Sequence, residues 1–223
     1  MSDAAIPLIH RLYGLSRPLR RRRMRRFLSL FPAGEILDVG GTASTWDGWS
    51  REVTVLNTRE PEEWDSKAAG FVLGDARQLE FADRSFDVVY CNSVIEHLGT
   101  LADQAKLAAE VRRVSRSYWV QTPAMSFPLE PHYLTPFVHW LPPGVRRRVL
   151  PYTMWAMVTR PTPDYMDRIS AELRLLSRGE FRALFPDARI ERERFLGLTK
   201  SWIAVREDGM DDVNRPSQQG HSA

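Results

Sequence analysis

Residues 36–45 read Ile36-Leu37-Asp38-Val39-Gly40-Gly41-Thr42-Ala43-Ser44-Thr45, an apolar run that ends in an acid, two glycines and small hydroxyl residues. This is the pattern of a buried strand that breaks into a ligand-binding turn. A short apolar run bounded by glycine suits a parallel strand covered on both faces, and glycine at its carboxyl end lets a ligand approach the backbone closely. In open α/β sheets that edge is where ligands bind.

Downstream, the same grammar repeats. Val53–Leu56 is β-branched and apolar and ends at Asn57, 19 residues after Asp38. That is close to the ~20-residue spacing at which a dinucleotide-type βαβ unit places its ribose-binding group. An amide can both donate to and accept from ribose hydroxyls; Glu60 is a nearby substitute. Pro61–Ala69 reads as a helix, and Gly70–Gly74 as a third strand that delivers Asp75-Ala76 to the same edge, with Asp75 an acceptor for an exocyclic amine. Ser85–Asn92 is a central strand, apolar in its middle and polar at its end. Leu101, Ala105, Ala108 and Val111 give Leu101–Val114 one helical face, and Ser117–Gln121 is the fifth strand. Five alternations of strand and connecting segment predict a doubly wound, Rossmann-like parallel sheet.

Pro123–Ser177 breaks the rhythm with nine of the chain's 15 prolines, too many for one regular element. It is expected to be an insertion over the carboxyl edge of the sheet, with helices near Phe137–Leu141 and Asp164–Leu176. A helix over Phe181–Phe185 and two strands, Ala188–Phe195 and Ser201–Arg206 joined through Gly197, complete a domain over 32–206. Composition from Glu207 onward predicts a disordered tail.

The 223 residues suit one domain, and 43% hydrophobic with 26% charged residues is ordinary for a globular chain. No apolar stretch approaches the ~20 residues that span a bilayer, and the first residues lack a secretory pattern. Cys91 is the single cysteine, and no His/Cys/carboxylate spacing suggests a metal; a reducing cytoplasm is the expected location.

Charge is uneven. Residues 1–30 hold eight arginines against Asp3, a segment of +7, so with +3 overall the remainder carries −4. Met24, Phe27, Leu28 and Phe31 form one apolar helical face backed by those arginines. Two readings follow for this arm, residues 1–31: a helix packed on the domain with solvated arginines, or peripheral contact with an anionic membrane. In the second reading Phe137, Trp140 and Leu141, followed by Arg146-Arg147-Arg148, add to the contact. The amphipathic pattern argues against nucleic acid.

The set ILDVGG, then VTVLN, then GDARQLEFADRSFDVVYCNSVIEHL resembles the class I S-adenosylmethionine-dependent methyltransferases, specifically the small bacterial type with an IEHL-like segment. The match covers roughly residues 35–122, and its specificity lies in order and spacing. The resemblance implies a seven-stranded sheet whose last two strands form an antiparallel pair. It also implies that Asp38, Gly40 and Gly41 surround the methionine part of S-adenosylmethionine, Asn57 the ribose, and Asp75 with Ala76 the adenine, with Asn92 near the methionine amino group. The chain departs from the commoner motif twice: Ala43 or Ser44 stands where a third glycine is usual, and Asn57 replaces an acid. A nicotinamide enzyme fits less well, because a pyrophosphate wants G-x-G-x-x-G and only Gly40-Gly41 is present.

Methyl transfer is a displacement at a carbon already activated by a sulfonium, so alignment matters most and a dedicated base is optional. Candidate bases are His132, His97 and Glu130, with His132 preferred because it lies in the insertion where an acceptor must sit. Each also has a structural reading, and Glu96 is expected to charge a helix start. The expected function is methyl transfer to a small-molecule, glycan or lipid-linked acceptor. The alternative is a cofactor-binding fold that has lost catalysis and serves as an interaction module.

Overall fold

The computed structural model describes residues 17–208 apart from 62–64, 66–68, 131–132 and 134. The expected tail lies almost wholly outside the described residues, as does most of the expected helix over Pro61–Ala69.

Helix α1 (Arg17–Leu30) precedes strands β1 (Ile36–Val39), β2 (Val53–Asn57), β3 (Gly70–Leu73) and β4 (Phe86–Asn92). Helix α2 (Leu101–Val114) leads into β5 (Ser115–Pro123). After a long excursion come α6 (Arg178–Leu184), β8 (Arg189–Phe195) and β9 (Leu198–Arg206). These form one seven-stranded sheet in the order β3-β2-β1-β4-β5-β9-β8. The first five strands are parallel, and β9 runs antiparallel to both β5 and β8.

Strand β1 is buried at all four positions because both faces of the sheet are covered. Successive side chains point to opposite faces, so Leu37 and Val39 meet Leu107, Val111, Phe181 and Phe185 of α2 and α6, while Ile36 joins the α1 side. The same parity turns Asp38 toward α1.

Helix α1 is integral to this core. Met24, Phe27 and Phe31 are buried against Ile36, Val55, Tyr90 and Trp119, and the Phe27 ring lies 4.7 Å from that of Tyr90. The apolar face that could have met a membrane is therefore spent on the sheet, with only Leu28 left partly exposed. Arg26 on its outer side pairs with Glu191 of β8.

The excursion, residues 124–177, contains a two-strand hairpin, β6 (Leu129–Glu130) with β7 (Thr135–Pro136). It continues through helices α3 (Pro143–Val149), α4 (Met154–Thr159) and α5 (Pro163–Glu172). The helix expected over Phe137–Leu141 is a single 3-10 turn, Val138–Trp140. The stretch has its own small core of Tyr133, Val138, Leu150, Trp155, Ile169 and Leu173. Its far end is stitched to the sheet edge. Gly99 N–H donates to Glu172 O at 2.9 Å, Arg174 N–H to Glu96 O at 2.8 Å, and the buried Gln104 amide to both Ile95 O and Arg174 O.

Candidate active site

At the carboxyl ends of β1 and β4, roofed by α1, lies a cleft of about 740 Å³ whose lining includes Arg20, Arg23, Asp38, Gly41, Tyr90 and Asn92. Asp38 forms its floor. The carboxylate is buried, and its Oδ2 accepts a 2.8 Å hydrogen bond from the Trp46 indole. Burial pushes its pKa up to about 7, against the smaller pull of that hydrogen bond.

The two glycines are required for different reasons. Gly40 has φ +73°, and a Cβ there would stand 2.6 Å from Val94 Cγ2; a Cβ on Gly41 would overlap the Asp38 carboxylate. The carboxylate thus packs directly beneath the loop. Asn57 Nδ2 donates to Gly41 O at 3.0 Å, and the Ala43 and Ser44 N–H groups donate to the Asp65 carboxylate at 3.2 and 2.9 Å. Ala43 opens a 3-10 turn, Ala43–Trp46, and is not among the residues of positive φ. No third glycine is needed because the chain turns there without entering the left-handed region.

This geometry also accounts for Asn57. Its amide donates to a carbonyl, which a carboxylate cannot do, and its Oδ1 remains an acceptor. Asn57→Asp, which restores the acid usual in related loops, is expected to set two acceptors against each other. Titration with S-adenosylhomocysteine should show weaker binding, by roughly tenfold for ~1.4 kcal/mol.

Asp75 and Ala76 stand at the end of β3. The Asp75 carboxylate is gripped by Arg77 through Nε at 3.0 Å and Nη2 at 2.6 Å. That bond holds it below the usual carboxylate range. It is ionised and accepting, in competition with Arg77 for any incoming amine. Because the pair is half-exposed, Asp75→Ala should change folding stability by no more than about 1 kcal/mol. Ligand titration and urea unfolding of that variant should therefore diverge, with binding lost and stability kept.

Arg23 dominates the opposite wall. Buried at 6% exposure, its Nη1 donates to Asn92 Oδ1 and, at 2.8 Å, to Gln121 Oε1; its Nη2 meets Glu193 Oε2 at 2.6 Å. One guanidinium thereby joins α1, β4, β5 and β8. Burial alone would raise the Glu193 carboxyl, but the Arg23 charge and hydrogen bond, with help from Lys200, more than offset it and hold it low. Gln121 also accepts from Ser93, whose φ of +59° places a strained residue directly after Asn92.

A family model described as a methyltransferase domain matches residues 33–117. That match takes in β1–β4, α2 and the glycine loop, so this part of the chain is similar to a methyltransferase domain. Among solved structures, the chain is similar to the PH0226 protein of Pyrococcus horikoshii, 17% identical over 87% of this chain and 91% of that one, with a TM-score of 0.55. It is also similar to a SAM-dependent methyltransferase of Archaeoglobus fulgidus, 13% identical over 86% and 95%, TM-score 0.53. A third is the N-terminal domain of EvdMO1 solved with SAH and D-fucose, 17% identical over 85% and 82%, TM-score 0.52. At these identities the likeness is one of fold. No curated protein sequence matches the chain.

The cleft fits S-adenosylmethionine in chemistry. A buried carboxylate near neutrality suits an α-ammonium, a loop with no room for Cβ atoms suits close backbone approach, and a wall of arginines suits a carboxylate. The structure brings Asp38, Gly41 and Asn92 together around the cleft, with Gly40 and Asn57 shaping the loop from behind.

Of the three expected bases, the two described ones, Glu130 and His97, do not line the cleft. Glu130 is buried in β6, where its Oε2 accepts from the Tyr133 N–H at 3.1 Å, and it does not line the cleft. His97 lies in the 3-10 turn Ile95–Leu98, its N–H donating to Val94 O. His132 lies outside the described residues. Glu96, expected to charge a helix start, does stand in the first turn of the 3-10 helix that holds His97; it is also fully buried and accepts from Thr122 Oγ1 at 3.0 Å. It anchors the sheet edge to the excursion.

A second cavity of about 500 Å³ opens between the end of β5 and α6, lined by Met125, His139, Trp140, Arg178 and Trp202 among others. His139 Nε2 lies 3.2 Å from Met125 O, and burial holds the ring's pKa below the ordinary value, so it is neutral. Cys91 packs in the core, where burial pushes the thiol well up.

Sequence reading missed Arg23, Trp46 and Gln121. Arg23 could have been found, because it sits four residues before Phe27 and so borders the apolar face of α1. Trp46 and Gln121 carry no such signal.

Proposed function

We propose that the cleft holds S-adenosylmethionine and that the acceptor is a small molecule, a glycan or a lipid-linked precursor bearing negative charge. The cofactor supplies a methyl group activated by a sulfonium. Asp38 takes its α-ammonium, Asn57 its ribose hydroxyls, Asp75 with Ala76 its adenine, and Asn92 stands near the methionine amino group.

The observation that carries the acceptor class is the arginine wall. Arg20, Arg21, Arg23 and Arg25 line the cleft against Asp38 and Asp47. The cofactor brings one carboxylate against two cationic groups, too little negative charge for four arginines, so the rest of the cluster favours a phosphate or carboxylate on the second substrate. The wall orients that group, and α1 excludes water from the floor. Catalysis then rests on alignment, and an ionised acceptor oxygen needs no dedicated base. The sugar present with the EvdMO1 domain is in keeping with a glycan-type acceptor.

The test is release of S-adenosylhomocysteine when the full chain meets matched acceptors, sugar phosphates and uronates against the neutral sugars. Turnover should favour the charged series, and Arg21→Glu with Arg25→Glu should reverse the preference. Turnover of neutral acceptors alone would reject the anionic class, and no turnover in any fraction of a host extract would reject transfer itself.

A further inference from the structure

The excursion presents an apolar, basic surface that the core does not use. Tyr152, Met154 and Met157 are 83%, 68% and 64% exposed, among the most open large apolar side chains described. Met154 and Met157 are three apart on α4, which points them outward together, while Trp155 and Ala156 on its other side fill the small core. Val145 and Val149, four apart on α3, are exposed as well. Helix α3 touches the 3-10 turn Leu150–Tyr152, which in turn touches α4. These five exposed side chains thus lie on three consecutive, touching elements.

The charge within the segment itself has one sign. Between Glu130 and Asp164 the sequence holds four arginines and no acid. Arg146 turns inward, its Nη2 donating to Ser170 O at 2.8 Å and its guanidinium lying over the Tyr133 ring. Arg147 reaches Asp167 of α5. Arg148 and Arg160 flank the apolar residues and are exposed.

We infer that this segment, residues 145–160, is a docking surface for an anionic lipid bilayer. Exposed methionine, valine and tyrosine suit the boundary of headgroups and acyl chains, and guanidinium groups beside them suit lipid phosphates. A nucleic acid would use the arginines but leave the apolar residues in water. No helix among the described residues is long and apolar enough to cross a membrane, so attachment would be peripheral. The contact lies on α3 and α4; the apolar face of α1 is buried in the sheet.

Sedimentation of the full chain with vesicles of equal parts phosphatidylglycerol and phosphatidylcholine, against phosphatidylcholine alone, tests this. Pelleting is expected only with the anionic vesicles, and it should fall at high salt. Met154→Asp with Met157→Asp should weaken partition roughly tenfold or more, and Arg148→Glu with Arg160→Glu should do the same. Both variants should keep the parent's thermal unfolding. Negligible pelleting with both lipids, or pelleting indifferent to both variants, would overturn the inference. So would sedimentation velocity showing self-association that the methionine variant abolishes in the absence of lipid binding.

Discussion

Asp38→Asn is expected to abolish binding of S-adenosylhomocysteine while making the ligand-free protein more stable above neutral pH. The folded Asp38 titrates near 7 against an ordinary value of 3.8. Below 3.8 the side chain is protonated in both states and costs nothing. Between 3.8 and about 7 the unfolded chain loses its proton first, so stability falls as pH rises, and above 7 the loss is complete. At ~1.36 kcal/mol for each pH unit of that gap, the full cost is on the order of 4 kcal/mol. Asparagine keeps the shape and the acceptor for Trp46 without the charge. Its melting temperature at pH 8 should therefore exceed the parent's by several degrees, a margin that should shrink toward pH 4 in a calorimetric scan.

The ligand reverses the logic. An ammonium beside Asp38 favours the carboxylate, so binding to the parent should release a proton and tighten as pH rises from 6 toward 7.5. The gain should stop where the ligand's own α-amino group, near ~8, begins to lose its charge.

Arg23→Ala is expected to destabilise the fold by about 3–5 kcal/mol, because it leaves the Glu193 carboxylate buried without its main counter-charge. It also removes the Arg23 donor from the amide oxygens of Asn92 and Gln121, the latter keeping its bond from Ser93. Lysine is a poor substitute, since one ammonium cannot reach three acceptors in a fork. If the loss arises from the orphaned carboxylate, Arg23→Met combined with Glu193→Met should recover most of it in urea unfolding. Equal loss in the single and double variants would place the effect in packing instead. In either variant the wall of the cleft changes, so acceptor turnover should fall even where stability is restored.

What the sequence made legible was the part governed by periodicity and by strand ends. The run Ile36–Gly41 located the floor of the cleft, because an apolar run meeting two glycines leaves few other arrangements. Asn92 lines it too and Asn57 holds the loop from behind, since parallel strands deliver their last residues to one edge; Asp75 stands at the end of β3 but is not among the cleft's lining residues. The terminal antiparallel pair followed from the turn at Gly197, where φ is +82°.

Contacts across the fold were less legible. The phase of Met24, Phe27 and Phe31 showed a face on α1 but not what covers it, and only the packing on Tyr90 and Trp119 decides that. Arg23 stands among seven arginines in a helix of 14 residues, and only its phase, four residues before Phe27, marks it out. The burial of Glu96 and Glu130 was not legible, because a chain does not disclose its buried acceptors. Prolines marked the excursion as irregular, yet its separate core depends on Tyr133 and Trp155 meeting Ile169, contacts that no local pattern encodes.

The most direct test is a calorimetric titration of the full chain with S-adenosylhomocysteine at pH 6 and pH 7.5, repeated with Asp38→Asn. The expected result is saturable binding of one equivalent, tighter at pH 7.5 with a proton released, and no heat from the variant. Absence of binding by the parent, or equal binding by Asp38→Asn, would contradict the placement of the cofactor in this cleft.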